Sequence, residues 1–594
     1  MSKTVFLDVE CYKNYFLICF KSSIKLRSYE LHEDSKLDIA EIKLIMSKYL
    51  TIGFNSLNYD LPMISYALSG ANNDDLKKLS DELVLSEKKS WEIVNDYGIK
   101  KYSKWNHIDL IEPSPAVMIS LKMYGARMHT NKLQDLPIAP DELIKDHERD
   151  IIKKYCINDI DITIDLYNKI KDRIDLRQIM NNNQDVSDNY PLDFRSKSDA
   201  QIAEAIFRKS LGINKGVNNK IDIKHPYKYI APRYIQFFND ELIKLKRKLE
   251  EVTFNVDIKG QLELNKDVPR KITIGESIYT IGIGGLHSNE KNRATVKGDN
   301  EFLTDIDVVS YYPSIIINNG YYPEALGERF LQHYKHFYDE RIKAKQNGDK
   351  NKSESYKIIL NGSFGKFGSI YSCLYSPSLL LHTTITGQLT LLMLIERIEN
   401  LGCSVISANT DGLTIKGDIL NYAKLQYMLQ GWQIETSYKL EGINYKAIYH
   451  ESVNTYIGIK DDGSLKTKGI YADNGLSKHP TMKVCIRAVI DYLTKGISIE
   501  DTIYNPSNVI TDFICIRKVK GGGVYKGEYL GKVVRWYYAI DGDSIRYKSN
   551  GNLVALTEGC KPFMEIKECD ILDIDYNKYI EISNQMLVNL GVIK

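Results

Sequence analysis

A chain of 594 residues is too long for one hydrophobic core and predicts several domains. Apolar content of 43% and charged content of 26% are ordinary for a soluble globular protein, and a net charge of only +2 means that any nucleic-acid surface must be a local groove. No apolar run approaches the length of a membrane span, the N-terminus lacks signal-peptide architecture, and the nine cysteines form no Cys-x-x-Cys pair, so reduced thiols, no structural zinc and a cytoplasmic setting are expected.

Lys3 to Phe20 reads as two strands around a turn, the first carrying Asp8-Val9-Glu10 with both acids on one face by the two-residue period. Thr51 to Phe54 is strand-like and leads into Asn55-Ser56-Leu57-Asn58-Tyr59-Asp60, where Asp60 stands two residues before Pro62 in a helix-start pattern. His107 to Leu110 is a further short strand. A helix predicted from Asp150 to Arg173 places Tyr155 and Asp159 one turn apart on the same face. Four acids thus sit at element ends over about 150 residues, enough oxygen ligands for two metal ions bridging a phosphate, although each alone is equally a cap or a surface charge.

The stretch from Ile174 to about Asp199 turns polar and reads as a loop or boundary, followed by helices over Lys197–Leu211 and Gln236–Glu251. The glycines of Ile281-Gly282-Ile283-Gly284-Gly285 suit either a close backbone approach to a ligand or a plain turn between strands. Phe302 to Val309 is an apolar strand interrupted by Asp305 and Asp307 on one face, and it ends at Ser310-Tyr311-Tyr312-Pro313. A buried acid there needs a metal ion or a neighbouring cation.

Two helices follow, Glu328–Asn347 with Arg341 and Lys345 at i and i+4, and Ser353–Phe364 with Lys357, Asn361 and Phe364 along one face; they are expected to pack antiparallel. A solvated basic face would explain the cations equally well. Cys403–Ala408 and Leu413–Lys416 read as strands joined by Asn409-Thr410-Asp411-Gly412, a tight hairpin that would present Asp411 beside the end of the Asp307 strand. Two carboxylates so placed suit phosphoryl transfer with a metal pair. In the C-terminal segment, Lys518 to Gly523 and Lys532 to Tyr538 interleave basic and aromatic residues, as suits either strand alternation or a nucleic-acid contact that includes Arg535.

Taken in order, these motifs resemble family B DNA polymerases. Asp8-Val9-Glu10, Asn55 to Asp60 and Tyr155-x-x-x-Asp159 are similar to the three motifs of the 3′–5′ proofreading exonuclease domain. The resemblance implies that Asp8, Glu10, Asp60 and Asp159 hold two metals, that Tyr155 orients the attacking water and that Asn55 contacts DNA. Asp307 to Ser314 resembles motif A, Lys357-x-x-x-Asn361-Gly362-Ser363-Phe364-Gly365 motif B, and Asn409-Thr410-Asp411-Gly412 motif C. Asn409 replaces the first acid of motif C and Gly412 its serine, while Gly362 and Phe364 replace a serine and a tyrosine in motif B. Gly284 and Gly285 occupy a template-contact motif whose tyrosine is Gly282 here. Tyr456 fits the family's Lys-x-Tyr primer contact, with Lys468 as a substitute for its lysine.

The implied fold is an α/β multidomain chain with an α+β palm: a ribonuclease H-like exonuclease followed by a right-hand palm, fingers and thumb. The expected boundaries are exonuclease 1–185, a connecting segment 186–300, palm 301–327 and 369–495, fingers 328–368 and thumb 496–594. The implied activity is DNA-templated DNA synthesis with proofreading. Asp307, the Val308 carbonyl and Asp411 would hold two Mg²⁺ ions, with Mn²⁺ an alternative. Lys357, Arg341 and Lys345 would grip the triphosphate, Asn361 and Phe364 would line the nucleotide site, and Tyr312 would exclude a 2′-hydroxyl. Expected partners are primer–template DNA, dNTPs and single-strand-binding or other replisome proteins, with no membrane. Asp305 matches no motif position and reads as a flank residue. About 50 residues separate Asp307 from Lys357 and about 48 separate Asn361 from Asn409, which leaves no room for the insertions of protein-primed phage relatives. A nucleic-acid primer and a compact viral or mobile-element replicase are therefore expected. The rivals are a nuclease whose synthetic half is inactive and a non-catalytic nucleic-acid clamp.

Overall fold

The computed structural model describes residues 4–99, 105–116, 119–182, 192–214, 225–473, 475–478, 481–566 and 573–594. It is a mixed α/β multidomain protein of two compact units. The first comprises 1–198, 474–484 and 503–579; the second comprises 199–473, 485–502 and 580–594. Most of the C-terminal segment, 503–579, thus groups with the N-terminal residues.

In the first unit, strands β1 (Thr4–Cys11), β2 (Phe16–Lys21), β3 (Leu26–Leu31), β4 (Leu50–Gly53) and β5 (His107–Asp109) form one sheet in the order β3-β2-β1-β4-β5. β1 pairs antiparallel with β2 and parallel with β4, which in turn pairs parallel with β5. β1 is therefore central, and its apolar residues Val5, Leu7 and Val9 are buried on one side against the helix Asp60–Ala67 and its neighbours. The helix Asp146–Lys169 covers the other face through Ile152, Cys156 and Ile160. It starts four residues before the expected Asp150, with Glu148 bonding back to the amide of Lys145 at its first turn. Residues 171–182 are helical rather than a loop, with Ile174, Arg177 and Met180 on the buried side; the expected polar boundary lies in part outside the described residues.

The second unit carries a ten-stranded sheet made of β6 (Lys271–Ile274), β7 (Ser277–Thr280), β8 (His287–Ser288), β9 (Lys291–Val296), β10 (Glu301–Val308), β11 (Ser404–Asn409), β12 (Gly412–Asp418), β13 (Leu440–Ser452), β14 (Thr455–Lys460) and β15 (Leu465–Lys468). The order runs β15-β14-β13-β10-β12-β11-β8-β7-β6, with β9 alongside β13. β10 lies between β12 and β13, paired antiparallel to both. The helix Pro377–Asn400 runs through this unit's core. With 24 residues and a mean hydropathy of 1.5 it is long and apolar enough to cross a membrane, which corrects the expectation that no run approaches that length. Yet 83% of its apolar window is covered by protein, and apolarity all round is what a core helix requires.

The helices Glu328–Gln346 and Lys350–Lys366 pack together as the sequence predicts. Gly362 has a steric reason: a Cβ there would meet the Asp199 carbonyl oxygen at 2.4 Å, where the helix Asp199–Leu211 crosses.

Back in the first unit, β16 (Cys515–Tyr525), β17 (Glu528–Asp543), β18 (Arg546–Tyr547) and β19 (Cys560–Pro562) form a four-stranded sheet in the order β18-β16-β17-β19. It is tied to residues 131–133 by Leu133 N–H donating to the Met564 carbonyl at 2.8 Å and Ile566 N–H to the Asn131 carbonyl at 2.7 Å. Arg535 makes this junction and is not a DNA contact. Its side chain is fully buried and donates to the carbonyls of Phe563 (2.6 Å), Thr130 (2.8 Å), Met564 (3.1 Å) and Asn131 (3.3 Å). Burial pushes its guanidinium down to about 10. Residues 533–539 of β17 are all buried, so Arg535, Trp536, Tyr537 and Tyr538 pack inside the protein.

Candidate active sites

In the first unit, β1 aims Asp8 and Glu10 at the helix Asp146–Lys169, where Asp8, Glu10 and Cys156 bring their donor atoms within 4.8 Å of one another. Asp60, the first residue of its helix, is buried. Burial raises the Asp8 carboxyl to about 7, with the negative charge of Asp159 adding to the shift and Lys122 opposing it. Glu10 and Asp60 are raised by burial and then by Asp8, and Asp159 is raised chiefly by burial. All four expected acids therefore share one electrostatic site. Tyr155 joins them through Lys122, whose ammonium lies 4.2 Å from its ring centroid and is ion-paired to Asp159. Asp8 Oδ2 and Asp60 Oδ1 are buried without a hydrogen-bond partner. Mutually repelling, unpartnered buried carboxylate oxygens fit divalent cations, which supply the missing charge.

Two neighbours escaped the sequence reading. Lys122 has no periodic signal; it lies just inside a helix capped by Ser120 and reaches the acids only through the fold. Asp109, at the end of β5, accepts the amides of Asn55 (2.8 Å), Leu57 (2.9 Å) and Ile111 (3.0 Å). It thereby holds the turn leading to Asp60, in which Asn55 takes a left-handed φ of 58°.

In the second unit, β10 carries Asp305 and Asp307 on one face, and Asp307 pairs with Gly412 at the start of β12. β11 and β12 close through Thr410 and Asp411 as a two-residue turn, with Asn409 opposite Gly412 and Thr410 at φ 53°. The Val308 amide donates to the Asp411 carbonyl at 2.7 Å, so strand end and turn are locked together. Both carboxyls are raised, Asp307 by burial and then Asp305, Asp411 by burial and then Asp307. As in the first unit, neighbouring raised carboxylates fit a divalent cation. Asn409 turns its amide away, to Asn454 Oδ1 at 2.9 Å.

A cavity of about 350 Å³ opens beside Asp411, lined by Ser310, Tyr312, Arg341, Asn361 and Phe364 among others. Tyr312 and Phe364 stack at 4.4 Å with an 18° interplanar angle. Arg341 donates to Ser310 Oγ at 2.7 Å, while its Nε is buried without a partner, as an anion would require. Lys345 and Lys357 stand outside this lining, paired with Glu441 at 3.3 Å and Glu354 at 3.1 Å.

Gly284 and Gly285 lie in the loop between β7 and β8. Gln388 of the core helix fixes that loop, accepting the Gly282 amide at 3.0 Å and donating to the carbonyls of Gly282 (2.7 Å) and Gly284 (2.9 Å). A Cβ on Gly285 would meet Thr410 Oγ1 at 2.3 Å, so this loop supports the Asp411 turn. Tyr456 and Lys468 pair across β14 and β15; Tyr456 is buried and Lys468 exposed. Lys466, unremarked in the sequence, is the lysine nearest the β10 acids: its ammonium lies 2.8 Å from Asp305 Oδ2 and 3.4 Å from Asp307 Oδ2. Asp305 is thus not a mere flank residue. The available signal was the two-residue period that puts Lys466 on the same strand face as Lys468.

No family model matches the chain. Over 75 residues it is 39% identical to an uncharacterized mitochondrial protein, ymf34, of Marchantia polymorpha, a match covering 13% of this chain and 95% of that protein. The fold is also similar to the family B DNA polymerase from the hyperthermophilic archaeon Pyrobaculum calidifontis, at 13% identity and a TM-score of 0.40, covering 100% of this chain and 78% of that one.

Proposed function

For a chain that belongs to the same family as the Marchantia polymorpha protein ymf34, we propose a DNA-templated DNA polymerase with 3′–5′ proofreading that extends a nucleic-acid primer. The observation that carries this reading is the cavity lined by Asp411, by Arg341 with an unpartnered nitrogen, and by the stacked pair Tyr312 and Phe364, next to the strand end that carries Asp307. Asp307, Asp411 and the Val308 carbonyl would hold divalent cations. Such ions make a primer 3′-hydroxyl more acidic and offset charge on the triphosphate.

The remaining work falls to the protein's own groups. Arg341 binds phosphate oxygens as a fork held by Ser310, and Lys357 and Lys345 add charge at the rim once their glutamates release them. Phe364 packs against the new base pair, and Tyr312, stacked on it, occupies the space a 2′-hydroxyl would need. In the first unit, Asp8, Glu10, Asp60 and Asp159 would hold the excision cations, and Tyr155 would orient the water that attacks the 3′-terminal phosphodiester. The sheet order β3-β2-β1-β4-β5, with its mixed pairing, supports a ribonuclease H-like reading of this unit.

A labelled primer–template incubated with Mg²⁺, with and without dNTPs, tests the proposal. Extension should occur with dNTPs and be lost in Asp411→Ala, which should still degrade single strands; Asp8→Ala with Glu10→Ala should do the reverse. Normal extension by Asp411→Ala would sink the assignment. Degradation without any extension by the wild-type protein would replace it with a nuclease.

A further inference from the structure

Asp305 is where this chain adds a carboxylate that the resemblance does not call for, and its surroundings are built. It lies opposite Thr414 across the β10–β12 pair, and the Thr414 hydroxyl donates to its Oδ1 at 3.1 Å. Its Oδ2 accepts from Lys466 at 2.8 Å, and only 12% of the side chain is exposed. Both oxygens are therefore committed, one to a strand neighbour and one to a lysine arriving from β15.

The same ammonium is 3.4 Å from Asp307 Oδ2, so Lys466 sits between an acid proposed to hold metal and one that is not. The shorter contact is to Asp305. A lone lysine beside Asp307 would occupy one of its oxygens and repel an incoming cation; a fixed second carboxylate gives the ammonium another acceptor and cancels its charge.

The geometry points to Asp305 as a positioning residue that takes the shorter bond from Lys466 and leaves Asp307 only the longer 3.4 Å contact, so that the Asp307–Asp411 pair stays open to divalent cations. This rests on the metal-dependent reading of that pair. Asp305 itself touches neither cation nor substrate. It acts through Lys466, which remains within reach of Asp307 and of the primer end proposed to lie there.

The test is direct Mn²⁺ binding to the full-length chain, with Asp8→Ala and Glu10→Ala included to silence the first site. Free Mn²⁺ is counted by electron paramagnetic resonance. Asp305→Asn keeps the shape and a hydrogen-bond acceptor for Thr414 but removes the charge; it should weaken Mn²⁺ binding about tenfold, the scale of one nearby charge in a partly buried site. Lys466→Met should tighten binding, and the double variant should return to within about twofold of the starting protein. In primer extension, Asp305→Asn should raise the Mg²⁺ concentration for half-maximal rate about tenfold while leaving the rate at saturating Mg²⁺ within about twofold.

Unchanged Mn²⁺ affinity in Asp305→Asn, or a double variant as weak as the single one, overturns the inference. Should Asp305→Asn fail to fold, as judged by thermal melting, Lys466→Met decides alone, and it must bind Mn²⁺ more tightly. Asp411→Ala in the same background separates this inference from the function it rests on. If Asp411→Ala leaves Mn²⁺ binding intact, the metal-pair reading itself fails, whatever Asp305 does.

Discussion

Gly412 faces Asp307 across the β10–β12 pair so closely that a Cβ on it would lie 2.0 Å from Asp307 Oδ1. The atom in the way is the end of a flexible side chain, so the carboxylate can rotate aside with little loss of stability. Its aim at the Asp411 turn cannot survive that rotation. Gly412→Ala should therefore melt within a few degrees of the parent but extend primers about tenfold more slowly, a loss expected when a catalytic group is misaimed. Unimpaired extension would show that Asp307 acts from a different rotamer.

Tyr312 is held by its stack on Phe364 and by its neighbour Tyr311, whose hydroxyl donates to the Gly387 carbonyl at 2.7 Å. Tyr312→Ala should admit ribonucleotides and cut the preference for dNTPs at least about tenfold. Tyr312→Phe keeps the ring and should keep the preference. Single-nucleotide incorporation with dNTP and rNTP pairs measures both, and unchanged selectivity in Tyr312→Ala would remove its gating role.

Arg535→Met should destabilise the first unit by about 3 kcal/mol, because it takes the guanidinium donor from the buried carbonyls of Phe563 and Thr130 and leaves Met564 with the Leu133 amide alone. Thermal unfolding reads this as a lowered transition. The salt dependence of DNA binding by the folded variant should stay the same. A salt slope reduced by about one would restore Arg535 as a phosphate contact.

Burial lowers the His107 imidazole to about 3; its nitrogens meet Thr51 Oγ1 at 2.8 Å and Ser56 Oγ at 2.7 Å. Between an unfolded value of 6.5 and about 3, the unfolded chain binds one proton that the folded chain refuses. Stability from this group is complete above pH 6.5 and falls as the pH drops, by about 1.4 kcal/mol per pH unit. Denaturant midpoints at pH 7 and pH 5 should converge in His107→Gln relative to the parent. Equal slopes would mean that His107 is protonated in the folded protein.

The local elements were legible because their signals span only a few residues. The two-residue period put Asp8 with Glu10 and Asp305 with Asp307, and Asn409 to Gly412 carried its own hairpin turn. Helix ends were less legible: the helix bearing Tyr155 begins four residues early because Glu148 bonds back to the Lys145 amide at its first turn. Alternation along β17 showed a strand, but alternation does not say what covers either face. Only the carbonyls of residues 130, 131, 563 and 564 decided that Arg535 is structural.

By itself the sequence determined which backbone segments carry acids on one face, and in what order the motifs follow. Tertiary structure alone decided which charges meet. Lys122 reaches Asp159 from 37 residues away, and Lys466 reaches Asp305 from 161. A lysine side chain leaves no periodic trace of its partner, because the pairing is set by strand order and helix packing rather than by neighbouring residues. Asp305 is the clearest case. Its position in β10 was readable, but its role depends on an ammonium delivered across the sheet from β15.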